Sequence, residues 1–153
     1  MTKTMRIWVD ADACPIVVRD IIATAAHKNA VTTIYVANKP LKVPQSPHIS
    51  FVQVAKSSDA ADGYITENVQ SKDLVVTQDV PLAHAVVSKG AVAINPHGQK
   101  FTADNIGERV SMRNLMQDLR ETGTVTGGPK QFSEADKRAF ANTFNNELVK
   151  LLR

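Results

Sequence analysis

Short apolar runs rich in β-branched residues alternate with segments in which apolar residues recur every three or four positions, from residue 6 to residue 94. The first kind of segment predicts a buried strand, and the second predicts an amphipathic helix. Because strands and helices follow each other in turn, the pattern favours a parallel sheet between two layers of helices. The predicted strands cover residues 7–9, 31–37, 49–55, 73–79 and 91–94.

Prolines and a glycine mark the ends of the predicted helices. Pro15 and Pro81 lack a backbone N–H and have a preset φ, so each suits the first turn of a helix. Gly90 stands where a helix C-cap is expected. One helix is predicted over residues 16–28, a second opens within residues 57–62, and a third opens at residues 80–81.

The chain between the second and third predicted strands has a different composition. Residues 38–48 carry three prolines and two lysines. This composition predicts a semi-rigid basic arm near the edge of the sheet rather than regular structure. Residues 49–55 then alternate apolar and polar side chains, as a strand with one exposed face does, so we expect this strand at the sheet edge.

The chain beyond residue 99 is predicted to be helical. Residues 102–120 form a long polar helix candidate, and residues 123–130 hold three glycines and a proline, which predict a loop. A last helix opens at Ser133, with apolar residues at helical spacing at Phe140, Phe144 and Leu148. Two helices alone bury too little surface for an independent core.

We therefore expect a single domain over residues 1–153, with an α/β core in residues 1–99 and a helical extension in residues 100–153. The predicted fold class is α/β, a three-layer α/β/α sandwich. Its mainly parallel sheet has about five strands, and C-terminal helices pack on it. The length of 153 residues and the 43% hydrophobic content suit one domain with a proper core.

Composition also bounds the compartment and the partners. No apolar run approaches the ~20 residues of a membrane span, and no signal-peptide core precedes the first strand, so we expect a cytoplasmic protein without a membrane partner. The single cysteine, Cys14, excludes an internal disulfide and is expected to be free. It is either a small buried residue or a low-pKa nucleophile at a helix N-terminus. The glycine motifs of nucleotide-cofactor sites are absent, and the four scattered histidines do not predict zinc.

Five aspartates stand where predicted strands end or helices begin. Asp10 and Asp12 follow the first strand, Asp79 ends the fourth, and Asp59 and Asp62 open the second helix. Ligands collect at the carboxyl edge of an open parallel sheet, so we expect these carboxylates to converge there. Like charges so close repel unless a cation lies between them, and Mg²⁺ or Mn²⁺ prefers oxygen ligands. The alternative is that some of these acids only cap helices.

The charge balance points to a polyanionic partner. Without those five acids, ten acidic residues stand against eighteen lysines and arginines, a balance of +8. Such a surface favours nucleic acid, and RNA is the expected partner. The candidates for contacts with the phosphate backbone are Lys39, Arg109 and Arg113.

Several motifs together carry a resemblance to a known family. These are VDADACP, VANKP, SDAAD, TQDVPLA, the NPHG turn with FTADNI after it, and LRETGTVTGGP. Over nearly the whole chain they resemble the bacterial YaiI/YqxD family, which looks related to the PIN and NYN nuclease-like domains. The resemblance implies a parallel α/β/α sandwich with an acidic, metal-binding edge. His97 departs from the arginine that this resemblance leads us to expect in the turn.

The resemblance implies roles for individual acids. Asp10 corresponds to the acid after the first strand, Asp62 or Asp59 to the acid at the helix start, and Asp79 to the acid after the fourth strand, with Asp12 as an additional ligand. The leading hypothesis is thus a Mg²⁺- or Mn²⁺-dependent ribonuclease with Asp10, Asp12 and Asp79 as catalytic residues.

Two alternatives stay open. The D-x-D after the first strand also resembles the haloacid-dehalogenase phosphatases, in which Asp10 would be the nucleophile and would form an acid-labile phospho-aspartate. Ala13 and Cys14 depart from the residues expected there. The other alternative is a nucleic-acid-binding or regulatory module without turnover, which would keep its RNA affinity after Asp10→Asn. The sequence does not indicate an oligomeric state.

Overall fold

The computed structural model describes residues 5–57, 60–102, 105 and 132–152. The predicted loop over 123–130 and nearly all of the predicted helix over 102–120 lie outside these residues. The strands are β1 (Ile7–Asp10), β2 (Thr33–Ala37), β3 (Ile49–Gln53), β4 (Leu74–Val76), β5 (Val92–Ile94) and β6 (Lys100–Phe101). The α-helices are α1 (Ile16–Asn29), α2 (Ala60–Asn68), α3 (Val80–Ser88) and α4 (Glu134–Leu152), and a 3-10 turn covers Ala11–Ala13.

The sheet has the strand order β3-β2-β1-β4-β5-β6. Strands β1 to β5 are parallel, and β6 pairs antiparallel with β5. The predicted parallel α/β sheet is confirmed, and the predicted edge strand is β3. The described part of the sheet has six strands instead of about five, because β6 is only two residues long and has no apolar run that would predict it.

The chain reverses direction across the sheet between β1 and β4. From β1 it moves outward to β2 and β3, and it then returns to the other side of β1 to form β4 and β5. At such a switch point the connections after the two central strands leave toward opposite sides, which opens a crevice at the carboxyl ends. The residues that follow β1 and β4 therefore face each other across this crevice.

Two apolar cores show that helices cover both faces of the sheet. Ile7 and Val9 of β1 pack in one core with residues of α1 and α4, among them Val18 and Phe144. The intervening Trp8 faces the opposite core, which receives residues of α2 and α3. Successive side chains of a strand point to opposite faces, so a strand buried on both sides reads as a continuous apolar run. The three-layer arrangement follows from this pattern.

Helix α4 packs on the same side as α1 and confirms the predicted C-terminal helix. Phe140 and Phe144 are fully buried and stack with their ring centroids 5.4 Å apart. The hydroxyl of Thr143 donates to the carbonyl of Gly98, 2.7 Å away. Gly98 has a φ of +87°, and a Cβ there would lie 2.5 Å from the carbonyl carbon of Ala139, so only glycine fits this close approach. Among helices of the described ranges, none is long and apolar enough to cross a membrane.

The first turn of α4 carries an electrostatic contact with the turn after β5. The carboxylate of Asp136 accepts hydrogen bonds from the backbone N–H and hydroxyl of Ser133, and lies 3.1 Å from Nδ1 of His97. The backbone N–H of Ser133, followed by His97, lowers the pKa of Asp136 to about 2.

We expect Asp136 to contribute to acid stability. A carboxylate whose pKa is lower in the folded chain stabilises the fold above its ordinary value of 3.8, and this contribution is lost as the pH falls toward 2. Asp136→Asn should therefore lower the melting temperature at pH 6, and the difference from the wild type should shrink between pH 4 and pH 2. Thermal melts across this pH range measure the effect. A constant difference at all pH values would show that packing, and not ionisation, is responsible.

Candidate functional site

Asp10 is the last residue of β1, at the switch point. Its side chain is buried, with 9% of the residue exposed. Its Oδ2 accepts a hydrogen bond of 2.9 Å from the hydroxyl of Thr77, which directly follows β4 and is also buried. This bond joins the carboxyl ends of the two central strands and fixes the orientation of the Asp10 carboxylate.

A second hydrogen bond to Thr77 fixes the direction of its hydroxyl proton. Its Oγ1 accepts a hydrogen bond of 2.9 Å from the backbone N–H of Asp79. Because a hydroxyl has one proton, that proton is directed to Asp10. Thr77 was not among the predicted site residues, although it lies two residues before Asp79. The signal that could have identified it is a hydroxyl residue between an apolar strand and an acid.

Asp79 lies after the strand and caps α3. The sequence predicted a strand up to residue 79, but β4 ends at Val76. The Oδ1 of Asp79 accepts a hydrogen bond of 2.9 Å from the backbone N–H of Leu82, as an N-cap carboxylate does. Asp79 is half-buried. One of its oxygens is thus used for capping, and capping accounts for only part of its hydrogen-bonding capacity.

Asp12 lies in the 3-10 turn after β1 and is exposed. Its Oδ2 accepts a hydrogen bond of 2.9 Å from the backbone N–H of Asn38, the first residue after β2. This contact ties the start of the proline-rich arm to the acidic site. The predicted RNA contact Lys39 is exposed and follows Asn38 directly in the chain.

The surroundings of Asp10 alter the pKa of its carboxyl group. Burial raises the pKa of Asp10, the hydrogen bond from Thr77 opposes that change, and the negative charges of Asp79 and Asp12 raise the pKa further. The charges of Asp79 and Asp12 therefore act on one buried carboxyl group. A bound cation would relieve this repulsion.

The remaining predicted residues are placed as follows. Asp62 lies half-buried in the first turn of α2, and it is not among the charges that act on the pKa of Asp10. Asp59, Arg109 and Arg113 lie outside the described residues. Among the described residues, Asp79 and Asp12 are the predicted acids whose charges act on Asp10.

Cys14 is buried next to this site. Burial raises the pKa of its thiol to about 12, with a lowering effect from the charge of Arg19 and a further rise from the charge of Asp10. At neutral pH the thiol stays protonated and is a poor nucleophile. Of the two interpretations of Cys14, the structure supports the small buried residue.

The carboxylates of this site suit a hard cation only if water and phosphate complete its coordination shell. Over the part of the chain that the structure describes, no group of three or more His, Cys, Asp or Glu side chains is arranged to hold a metal ion. Mg²⁺, however, usually takes one or two carboxylates and completes its shell with water and substrate phosphate. In the described contacts each of Asp10, Asp12 and Asp79 uses a single oxygen, so each keeps a second oxygen for such a shell.

We expect Asp10→Asn to stabilise the protein when divalent metal is absent. The amide keeps an oxygen for the Thr77 hydroxyl but removes a buried charge that Asp79 and Asp12 repel. The melting temperature at pH 7 should rise by roughly 2–4 °C, the shift that about 1 kcal/mol produces in a protein of this size.

The pH dependence gives the control for this variant. A carboxyl group whose pKa is raised in the folded chain costs stability as the pH rises above its ordinary value of 3.8, and costs nothing below it. The advantage of Asp10→Asn should therefore disappear below about pH 4. Thermal melts in EDTA at pH 3.5 and pH 7 test this, and an Asn variant less stable than the wild type at both values would contradict it.

Comparison with known proteins adds the family context. A family model described as "Uncharacterized BCR, YaiI/YqxD family" matches residues 8–150, a range that contains Asp10, Thr77 and Asp79. No solved structure matches the chain.

Curated relatives match along almost their whole length. The UPF0178 protein of Shewanella sp. (strain MR-7) is 49% identical over 148 residues, which cover 97% of each chain. The UPF0178 protein of Dechloromonas aromatica (strain RCB) is 50% identical over 147 residues, 96% of this chain and 98% of the relative. The UPF0178 protein of Myxococcus xanthus (strain DK1622) is 48% identical over 149 residues, 97% of each chain.

Proposed function

The chain belongs to the YaiI/YqxD family, and from the acidic switch point of its sheet we propose that it is a divalent-metal-dependent nuclease that hydrolyses RNA phosphodiesters. One observation carries the proposal. A buried carboxylate, Asp10, is held by a hydrogen bond at the crevice of a doubly wound sheet while two further carboxylates, Asp12 and Asp79, repel it. A purely structural site would gain nothing from this repulsion, whereas a cation site requires such a set of charges.

Asp10 and Asp79 are the proposed direct ligands of Mg²⁺ or Mn²⁺. When bound, the metal would acidify a water molecule and offset the charge that develops on the phosphate. Thr77 positions the Asp10 carboxylate, because its only proton is committed to Oδ2. Asp79 is positioned by its bond to the N–H of Leu82. Two of the carboxylates are thereby oriented before any ligand binds.

Asp12 has a different proposed role. Its Oδ2 is held by the N–H of Asn38, and its Oδ1, which no contact among the described residues uses, is the atom proposed to accept a proton from water. Lys39 follows Asn38 and would contact the phosphate backbone together with Arg109 and Arg113. Backbone contacts of this kind give affinity that depends on salt and not on base sequence. We also propose that the protein is cytoplasmic, where RNA is available as a substrate, and that its fold is related to that of PIN domains.

The first test is metal linkage. Ligands that bind only the folded state stabilise it by RT ln(1 + [L]/Kd), about 2.7 kcal/mol at a hundredfold excess over Kd. We expect millimolar Mn²⁺ to raise the melting temperature of the wild type, and Asp10→Asn to lose most of this response. Glu67→Gln, on an exposed position of α2, removes the same charge away from the site and should respond as the wild type does.

The second test is cleavage. End-labelled single-stranded and structured RNA is incubated with the wild type, Asp10→Asn and Glu67→Gln, each with Mn²⁺, with Mg²⁺ and with EDTA. The proposal expects cleavage by the wild type and Glu67→Gln with metal, and none with EDTA or by Asp10→Asn. Cleavage that survives both EDTA and Asp10→Asn would reject the proposed mechanism.

The two alternatives give distinct results in the same assays. If RNA binds to the wild type and to Asp10→Asn with equal affinity and neither variant cleaves any substrate, the protein is a binding module. If incubation with a phosphomonoester leaves an acid-labile phosphate on the wild type and not on Asp10→Asn, the protein is a phosphatase.

A further inference from the structure

Four residues of α1 form an exposed row on the outer side of the helix, away from the acidic site. They are Ile16, Asp20, Thr24 and Lys28, and each is four positions after the one before. Residues four apart on a helix are neighbours on the same side of it, so these side chains make one continuous ridge. This row, called the α1 ridge below, is exposed at all four of its positions.

A groove of 720 Å³ lies beside the α1 ridge, between α1 and α4. The next row of α1 lines it with Val17, Ile21 and Ala25, which are half-buried against the core. From α4 it is lined by Val149 and Leu152, among others. A ridge with a groove next to it is the geometry in which two helices interlock, because the ridge of each fits the groove of the other.

Exposed apolar side chains gather on this side of the molecule. In the ranges that the structure describes, the exposed large apolar residues are Ile16, Val149 and Leu152. Ile16 is the first residue of the α1 ridge, and the other two line the groove. Single apolar residues scattered over a surface need no explanation, whereas a group of them beside a groove marks an interaction surface.

The charges of this surface are complementary to themselves. Among the described residues that line the groove, Asp20 is acidic, and Lys28 and Lys137 are basic. Asp20 and Lys28 are eight positions apart, about 12 Å along a helix. If two copies of α1 pack antiparallel around a two-fold axis at Thr24, Asp20 of each copy lies beside Lys28 of the other. Both pairs form together, because a two-fold interface repeats every contact.

The same arrangement brings the exposed apolar residues together. Helix α1 follows β1, and the first turn of α4 contacts His97 after β5, so both helices begin at the carboxyl edge of the sheet. Their last turns, with Lys28 and Leu152, therefore lie toward the same end of the groove. In an antiparallel pair, Ile16 of one copy reaches this end of the other copy's groove and meets Val149 and Leu152.

This pattern favours a second copy of the chain over other occupants. A nucleic-acid strand would meet the negative charge of Asp20 within the ridge and would leave the apolar side chains without a partner. An unrelated protein would need a base opposite Asp20 and an acid opposite Lys28 at the matching spacing, and a second copy necessarily carries both. We propose that the α1 ridge and the groove beside it form a homodimer interface, in which the ridge of each copy lies in the groove of the other.

The first test is the mass of the protein in solution. Analytical ultracentrifugation in EDTA should show the wild type as a dimer that dissociates on dilution. Ile16→Gln and Val149→Gln should each raise the dissociation constant at least about tenfold, because each removes an apolar contact twice per dimer. Glu67→Lys changes an exposed charge of α2, on the opposite face of the sheet, and should leave the dissociation constant unchanged.

Charge reversal tests how the two copies are aligned. Asp20→Lys and Lys28→Glu should each weaken the dimer, because each variant replaces two attractive pairs by two repulsive ones. An equimolar mixture of the two variants should restore it, because every contact between one variant and the other then joins opposite charges. The double variant Asp20→Lys/Lys28→Glu should likewise dimerise by itself.

Each outcome decides for or against the interface. A wild type that stays monomeric at its highest soluble concentration would overturn the proposal, and so would a dimer that Ile16→Gln and Val149→Gln leave unchanged. A dimer that both reversals weaken and that neither the mixture nor the double variant restores would show that Asp20 does not meet Lys28. Circular dichroism establishes that each variant is folded, and the two glutamine variants decide if a reversal unfolds the chain. Asp10, Asp12 and Asp79 take no part, so the result is independent of the proposed nuclease.

Discussion

Asp79→Asn is expected to reduce metal-dependent RNA cleavage by roughly 10²–10³-fold, the loss that removal of one preoriented electrostatic group causes, while RNA binding stays intact or becomes tighter. The reason is that Asp79 has two separable tasks. Its Oδ1 caps α3 through the N–H of Leu82, and its other oxygen is the one proposed to face the metal. Asn keeps the first task and loses the charge needed for the second.

A series at this position distinguishes catalysis from stability. Asn and Ser are about as good as Asp at an N-cap, and Ala is worse by about 1 kcal/mol. We therefore expect Asp79→Asn and Asp79→Ser to unfold in urea near the wild-type midpoint, and Asp79→Ala to unfold earlier. All three should be equally inactive. Activity that follows the order of stability, with Asn and Ser retaining cleavage, would show that Asp79 only caps the helix.

Sequence reasoning located Asp10 and Asp79 because their proximity follows from topology. The carboxyl ends of parallel strands meet at one edge, and an alternation of strands and helices predicts parallel pairing. The buried strands themselves were evident from their apolar runs, which β1 and β4 need because helices cover both of their faces. The order of the strands could not be predicted, because the lengths of the connections do not determine on which side of β1 the chain places β4.

Contacts between distant segments account for what sequence reasoning missed. The bond from Thr77 to Asp10 spans 67 positions, and the bond from Asn38 to Asp12 joins a backbone group to a side chain. Neither leaves a local pattern. Local periodicity thus predicts the sheet and its acidic edge, whereas the groups that orient the acids depend on tertiary packing.

The second large effect is expected at Asp73, a buried aspartate at the opposite end of the sheet from the acidic site. Its Oδ1 accepts from the backbone N–H of Arg6, and its Oδ2 accepts from the indole N–H of Trp8 and the backbone N–H of Gln70, at 2.9–3.0 Å. The guanidinium of Arg6 lies 3.5 Å from Oδ2. This carboxylate therefore joins β1, β4 and the turn before β4.

Asp73→Ala should lower the free energy of unfolding by about 3–5 kcal/mol, because the buried indole N–H of Trp8 and the half-buried backbone N–H groups of Arg6 and Gln70 lose their acceptor, at about 1–3 kcal/mol for each such group. Urea denaturation at 25 °C measures the loss. Trp8→Phe removes only the indole donor and should cost less, and the double variant should cost less than the sum of the two single changes. Strict additivity would mean that the Trp8 bond contributes nothing to the effect of Asp73.

Replacement of aspartate by asparagine should therefore change the stability of the protein in opposite directions at Asp73 and at Asp10. Asp73→Asn loses the attraction of Arg6 and must turn an NH₂ group toward buried donors, so it should destabilise the protein with or without metal. Asp10→Asn loses repulsion from Asp79 and Asp12, so in EDTA it should stabilise. Melts of both variants in EDTA and in Mn²⁺ compare the two sites directly. If both variants are destabilised equally in EDTA, Asp10 is a structural acid like Asp73, and the argument for a cation site at the switch point fails.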